Sequence, residues 1–172
     1  MQAIGQGSKA KPTLLPLHTF DTTPATTLVA LTDSGHLFRT LVASVGEKPT
    51  AAPSVLPGLA GEPIRWWLEP DLPADLLLVM SDGQVKRIAT EDCEGGDRKG
   101  VISIVKLAAG ARVVAVEAFD DNAHILVATS DGQGIRFSPD GLRPMGRTAA
   151  GVRGIKTDAR VIFGGIPAIG DV

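Results

Sequence analysis

Three times along the chain an apolar, partly β-branched run breaks at a polar turn and resumes as a run carrying cations. The stretches are Leu31-Thr32-Asp33-Ser34-Gly35-His36-Leu37-Phe38-Arg39, Met80-Ser81-Asp82-Gly83-Gln84-Val85-Lys86-Arg87 and Thr129-Ser130-Asp131-Gly132-Gln133-Gly134-Ile135-Arg136-Phe137. The runs ahead of the turns are Thr27 to Leu31, Leu76 to Met80 and His124 to Ala128. An Asp-Gly or Ser-Gly pair provides the positive backbone angle of a tight turn, so each stretch predicts a β-hairpin. A second apolar element precedes each hairpin, at Leu14 to Phe20, Ile64 to Pro70 and Val113 to Phe119, and recurs at Arg160-Val161-Ile162-Phe163. A third closes each unit, at Pro53 to Gly58, Lys99 to Ile104 and Ala150 to Ile155.

The turn glycines Gly35, Gly83 and Gly132 are 48 and 49 residues apart. That period, with several strands per unit, suits a propeller-like blade rather than a helical solenoid. The expected fold is all-β, with repeats at about 14–62, 63–111 and 112–159 and an extra strand at 160–166, in one domain or a fragment of one. Three blades are too few to close a ring, and exposed strand edges invite pairing. Three completions stay open: a longer chain, a second copy giving a roughly six-bladed disc, or Pro-rich segments over the edges.

Composition narrows the chemistry. The 20 Gly and 12 Pro are spread along all 172 residues, which disfavours a helical bundle. The single cysteine, Cys93, excludes an intrachain disulfide and fits a reducing compartment, the cytoplasm by default. No apolar run is long enough for a signal or a membrane span. With no Tyr, this chain cannot form a phosphotyrosine link to DNA. The net charge of −2 offers no global attraction for nucleic acid, so such a function would rest on local clusters. Residues 61–128 hold 12 acids against 7 Lys and Arg, whereas residues 129–172 hold 4 against 6, so the C-terminal quarter is the basic part.

The segment Pro144-Met145-Gly146-Arg147-Thr148-Ala149-Ala150-Gly151-Val152-Arg153-Gly154-Ile155-Lys156 resembles a blade of the C-terminal domain found in the A subunits of DNA gyrase and topoisomerase IV. Lys99 to Ile104 and the Ser-Asp-Gly hairpins extend the likeness over nearly the whole chain. The resemblance implies a β-pinwheel, in which strands cross between neighbouring blades and duplex DNA lies on a basic outer rim. It also implies an accessory, non-catalytic role in DNA topology beside a separate cleavage core. The implied partners are double-stranded DNA and the topoisomerase core or B subunit, in a bacterial, nucleoid-associated setting; a second copy of the chain is expected only as one way to complete the disc, and the residues themselves show no cofactor or metal pattern. The Gln-Arg-Arg-Gly-Gly-Lys-Gly box that marks gyrase is missing. Its nearest equivalent is Glu94-Gly95-Gly96-Asp97-Arg98-Lys99-Gly100, so bending in the manner of topoisomerase IV is implied over chiral wrapping.

Phosphate recognition needs several cations on one connected surface, because each neutralised phosphate releases counterions. Arg39, Lys86, Arg87 and Arg136 sit at corresponding places on the return strands, and Arg98, Lys99, Arg143, Arg147, Arg153 and Lys156 on loops and closing strands. These ten residues are the expected DNA-binding set, and a solvated strand face is the competing reading for each one. The Gly95 to Gly100 loop lacks the order of a phosphate-binding loop. Asp33, Ser34 and His36 are better explained by turn chemistry than by a hydrolytic triad, and His18, His36 and His124 have no ligand spacing. Of Trp66-Trp67, one ring is expected in the core. The acids beside Cys93 are expected to disfavour its thiolate. The alternative to DNA binding is a pinwheel that serves as a protein-interaction or structural module.

Overall fold

The structure, a computed structural model, describes residues 23, 25–44, 62–68, 72–95 and 100–167. The strands expected at Leu14 to Phe20 and Pro53 to Gly58, and the cations Arg98 and Lys99, lie outside the described residues. Each predicted hairpin forms: β1 (Thr27–Thr32) with β2 (His36–Leu41), β4 (Asp75–Met80) with β5 (Gln84–Ala89), and β8 (Ile125–Thr129) with β9 (Gly134–Phe137). The remaining strands are β3 (Ile64–Leu68), β6 (Val101–Ser103), β7 (Val113–Ala118), β10 (Val152–Arg153) and β11 (Val161–Gly165). Two short 3-10 turns, Val42–Ser44 and Thr90–Cys93, follow β2 and β5, and no α-helix occurs among the described residues.

The sheets are ordered β3-β1-β2-β6, β10-β5-β4-β7 and β11-β8-β9. Each hairpin is therefore flanked by strands from the following repeat, antiparallel on both sides where both are filled. This is the strand crossing of a β-pinwheel. The preceding-element strand enters beside the turn with a register shift in all three sheets, at Leu31/Thr32, Val79/Met80 and Val161/Phe163. Such bulges sharpen local twist and re-aim the strand. Successive turns are also tied together: Val113 N donates to Asp33 O at 2.7 Å, Ser81 N to Arg112 O at 2.8 Å, and Val161 N to Ser81 O at 2.9 Å.

Burial follows from this stacking. Leu76, Leu78 and Met80 pack into one core with Val29, Leu31 and Leu37, while Leu77 and Val79 pack into another with Ile125 and Val127. The second sheet is covered on both faces, which explains the unbroken apolar run of β4. In β8 the side chains alternate between buried and half-buried, as for a sheet with one covered face.

Lys86 corrects a sequence expectation. Its pattern position assigns it to a DNA-facing rim, but its side chain is fully buried, at the register position held by Phe38 in β2 and Ile135 in β9. Its Nζ donates to Ile104 O at 2.8 Å, Gly146 O at 2.8 Å, Ala149 O at 3.0 Å and Arg147 O at 3.2 Å. An ammonium has three protons, so at least one is shared among these four acceptors. The group joins the end of the first sheet's closing strand to the segment leading into the second sheet's closing strand. Burial pushes Lys86 down to about 8, with Cys93 and Asp92 acting in the opposite sense. Burial likewise pushes the Cys93 thiol up to about 11, and only then does Asp92 add to the effect. The direction expected for Cys93 is right, but desolvation, not the neighbouring acids, is the main cause.

Two predictions arise from this packing. Gly83 and Gly132 both have left-handed backbone, φ +87° and +84°, but a Cβ on Gly83 would lie 2.5 Å from Ile155 O, whereas one on Gly132 meets nothing within 4 Å. Gly132→Ala should cost about 1 to 2 kcal/mol of backbone strain, and Gly83→Ala roughly 2 kcal/mol more from the displaced strand; urea denaturation of both variants reads the difference. Lys86→Met should lose about 3 kcal/mol by stranding buried carbonyls. Because the folded-state Lys86 sits below its unfolded value of about 10.4, the unfolded chain binds more protons from about pH 8 upward. The penalty is thus relieved as pH rises through that window. With the opposing thiol removed by Cys93→Ser, Tm should climb relative to the Lys86→Met, Cys93→Ser pair between roughly pH 8 and 10; parallel curves would contradict the assignment.

Candidate functional site

The return-strand cations do not form one rim. Arg39, Arg87 and Arg136 occupy one register position, opposite Val29, Leu77 and Leu126, yet their surroundings differ. Arg87 donates from Nε and Nη2 to Asp75 Oδ2, at 2.8 and 2.5 Å, and from Nη1 to Asp121 Oδ1 at 2.8 Å. Its guanidinium also lies 4.1 Å from the centre of the Phe119 ring. An Arg held by two carboxylates and a ring is committed internally, so the phosphate-contact expectation for Arg87 is corrected. Arg39 is half-buried, with Nε and Nη2 enclosed and without an acceptor among the described residues, and its charge acts on the Cys93 thiol. It too is poorly placed for a phosphate. Arg136 alone of this set is exposed.

The loop and closing-strand cations are brought together. Residues 144–153 run along the outer edge of β5: Pro144 bridges Arg87, Met145 N donates to Arg87 O at 2.8 Å, and β10 pairs with Val85 and Gln84. Leu142 is buried and Met145 packs on the core, while the carbonyls of Gly146, Arg147 and Ala149 turn inward to Lys86. With its backbone so anchored, this strip leaves Arg143, Arg147, Arg153 and Lys156 exposed. Among the described residues none of these four, nor Arg136, has a carboxylate within ion-pair distance. Arg153 shares a shallow hollow of about 420 Å³ with Asp82 and Gln84, which tempers its field locally.

A second basic cluster lies outside the set expected from the sequence. Arg65, Arg112 and Arg160 line one hollow of about 330 Å³ with Asp33, Trp66 and Ile162. Arg112 is fixed by Ser81 through both its N and O, and Arg160 by Ser130 N at 2.8 Å. Arg65 Nε reaches Asp33 Oδ2 at 3.4 Å. The available signal was their recurrence at the start of the last three of the four preceding elements, where the apolar residues dominate the pattern.

Ser34, His36 and Glu62 meet, but not as a relay. Ser34 Oγ donates to Glu62 Oε2, and His36 Nδ1 lies 3.1 Å from Ser34 Oγ and 3.0 Å from Glu62 Oε2. Both partners crowd the same ring nitrogen, whereas a triad requires the acid and the hydroxyl on opposite nitrogens. Burial would raise the Glu62 carboxyl, yet hydrogen bonds from Ser34, His36 and Thr32 hold it below the usual range. The cluster stabilises the first turn. Trp66 packs on the core and Trp67 is 43% exposed, the division expected of adjacent strand residues. Among the described residues no His, Cys, Asp or Glu group gathers for a metal, and no helix is long and apolar enough to cross a membrane.

Comparison with known proteins agrees with the strand crossing. The DNA gyrase A subunit of Haloquadratum walsbyi (strain DSM 16790 / HBSQ001) is 32% identical over 94 residues, 55% of this chain and 11% of that protein. The DNA gyrase A subunit of Nocardioides sp. (strain ATCC BAA-499 / JS614) is 36% identical over 83 residues, 47% of this chain and 9% of that protein. The chain thus spans only a small part of the length of these relatives. In fold it is similar to the C-terminal domain of DNA topoisomerase IV, with a TM-score of 0.74 and 19% identity over 84% of this chain and 48% of that one. It is also similar to the DNA gyrase A C-terminal domain, with a TM-score of 0.60 and 18% identity over 83% and 48%. The profile of the family described as DNA gyrase C-terminal domain, beta-propeller, matches residues 74–120 and 123–162. That match takes in half of the residues, and the chain belongs to the family of DNA gyrase C-terminal domains.

Proposed function

We propose that this chain is a non-catalytic DNA-binding module of a type IIA topoisomerase A subunit, holding the backbone of a duplex so that a neighbouring core receives a bent segment. The observation that carries this reading is the strip of Arg143, Arg147, Arg153 and Lys156, exposed, without carboxylate partners among the described residues, and anchored along the β5 edge. Cations without a carboxylate at ion-pair distance attract phosphate, Arg153 less than the others because Asp82 shares its hollow, and a backbone pinned from below lets them bind without the entropic cost of ordering a loop. Bending a short duplex costs on the order of 1 to 6 kcal/mol, which several phosphate contacts can offset. Arg136 joins the set from β9, the return strand of the third hairpin; Arg98 and Lys99 join it on sequence grounds alone. Readout is expected to be sequence-independent, because guanidinium and ammonium groups on phosphates carry no base information. The topoisomerase core or B subunit is the protein partner this reading implies.

Charge reversal tests the proposal. Arg147→Glu, Arg153→Glu and Lys156→Glu together should lower duplex affinity by about 100-fold or more at roughly 50 mM salt, and reduce the log–log salt slope by about 3. Fluorescence anisotropy with an unrelated pair of duplexes should give equal affinities for the wild-type chain. Reversal of Arg65, Arg112 and Arg160 should have a much smaller effect. If that second set proves dominant, the duplex lies in the turn-side hollow. If the wild-type chain binds no duplex at this salt, the reading fails, and a protein-interaction role takes its place.

A further inference from the structure

The strands β3, β7 and β11 enter their sheets through the same irregularity, and each time one residue falls outside the register. Arg65 is skipped between Ile64, opposite Thr32, and Trp66, opposite Leu31. Val114 is skipped between Val113, opposite Met80, and Ala115, opposite Val79. Ile162 is skipped between Val161, opposite Thr129, and Phe163, opposite Ala128. A bulge re-aims the side chain it takes out of the ladder. All three of these side chains line the turn-side hollow of about 330 Å³. Arg112 and Arg160 line it too, and they are themselves equivalent, each standing one residue ahead of its strand. Side chains carried by three separate strands therefore converge on one cavity.

Its wall is held by backbone bonds that run from turn to turn. Val113 N donates to Asp33 O in the first turn, and Ser81 N to Arg112 O in the second, where Arg112 N also donates to Ser81 Oγ at 3.0 Å. Ser81 O accepts from Val161 N, and Arg160 O accepts from Ser130 N in the third turn. The backbones of both arginines are thus fixed in advance, and only side-chain torsions remain to be ordered by a ligand. Among the described residues the lining holds three guanidiniums and one carboxylate, that of Asp33. Arg65 Nε reaches this carboxylate at 3.4 Å, whereas Arg112 and Arg160 are exposed with no carboxylate at ion-pair distance among the described residues.

We infer that the turn-side hollow is a binding site for a small diphosphate-bearing anion, gripped by Arg112 and Arg160 with Arg65 as the third donor. Positive charge in excess over Asp33, set in a concave site, draws a compact ligand that carries two or more negative charges. The volume is that of a small-molecule site and does not admit the body of a duplex. Guanidiniums on three separate strands suit tetrahedral phosphates, which present oxygens on every side; a carboxylate offers two oxygens in one plane and is saturated by a single fork. Trp66 and Ile162 give the hollow an apolar side, against which the organic part of a nucleotide can rest. This site stands apart from the strip of Arg143, Arg147, Arg153 and Lys156 and does not depend on whether that strip binds DNA.

The test titrates inorganic pyrophosphate into the full chain, in metal-free buffer at about 150 mM salt, where isolated surface charges are screened. In NMR spectra the amides of Asp33, Val113 and Val161 should shift saturably, while those of Arg147 and Arg153 stay in place. Arg112→Gln and Arg160→Gln should each weaken binding about tenfold or more without lowering Tm, since both side chains are exposed. Asp33→Asn should tighten binding severalfold, a gain that damage to the fold cannot produce. Arg147→Glu, Arg153→Glu and Lys156→Glu together should leave pyrophosphate binding unchanged, which separates a failure of the DNA reading from a failure of this one. ADP serves as the second probe: tighter binding than pyrophosphate assigns an organic diphosphate to the site, and equal binding assigns the free anion. The inference is overturned if pyrophosphate shifts only the strip, if succinate binds as tightly, or if a duplex shifts the hollow's amides and pyrophosphate does not.

Discussion

Strand exchange between repeats creates a local problem that one buried ammonium solves. Where the chain leaves the first sheet at Ile104 and approaches the second sheet's closing strand through Gly146 to Ala149, four carbonyls converge, of which Ala149 O also accepts from Lys106 N at 3.2 Å. Backbone oxygens shut away from water without donors are costly. Lys86 supplies the donors from the middle of β5, a position that is apolar in the other two hairpins. The cost is a charge removed from water, visible in its depressed pKa. The contact pins residues 146–149 from below, together with Met145 N on Arg87 O and Lys106 N on Ala149 O.

The exchange also decides which surfaces exist. A hairpin whose two edges are both taken by strands of the next repeat has little outer edge on which to present cations. Its return-strand residues turn toward the core or toward neighbouring loops, as Arg87 does with Asp75 and Asp121. The closing segment lies outermost, so residues 143–156 carry four exposed cations, Arg143, Arg147, Arg153 and Lys156. A chain with net charge −2 can therefore still offer a basic strip: the acids nearest Arg87 are bound to it, and the strip lies in the basic C-terminal quarter.

Much of the fold is legible in single residues. The Gly in each turn, the alternation along β8 and the continuous apolar run of β4 reflect backbone and side-chain chemistry acting within a few residues. The site is less legible. Lys86 and Arg136 read alike as cations on a return strand, yet one is buried and one exposed. Arg65, Arg112 and Arg160 stand far apart along the chain and meet only because successive turns are tied by Val113, Ser81 and Val161.

The sequence by itself determined the hairpins, their period and the all-β class, because turn angles and strand alternation are local properties. Only the tertiary structure decided which repeat supplies each flanking strand, and hence which cations face water. A strand has two edges and two faces that its own residues do not distinguish; the choice is made by carbonyls and apolar surface contributed from a repeat some fifty residues away.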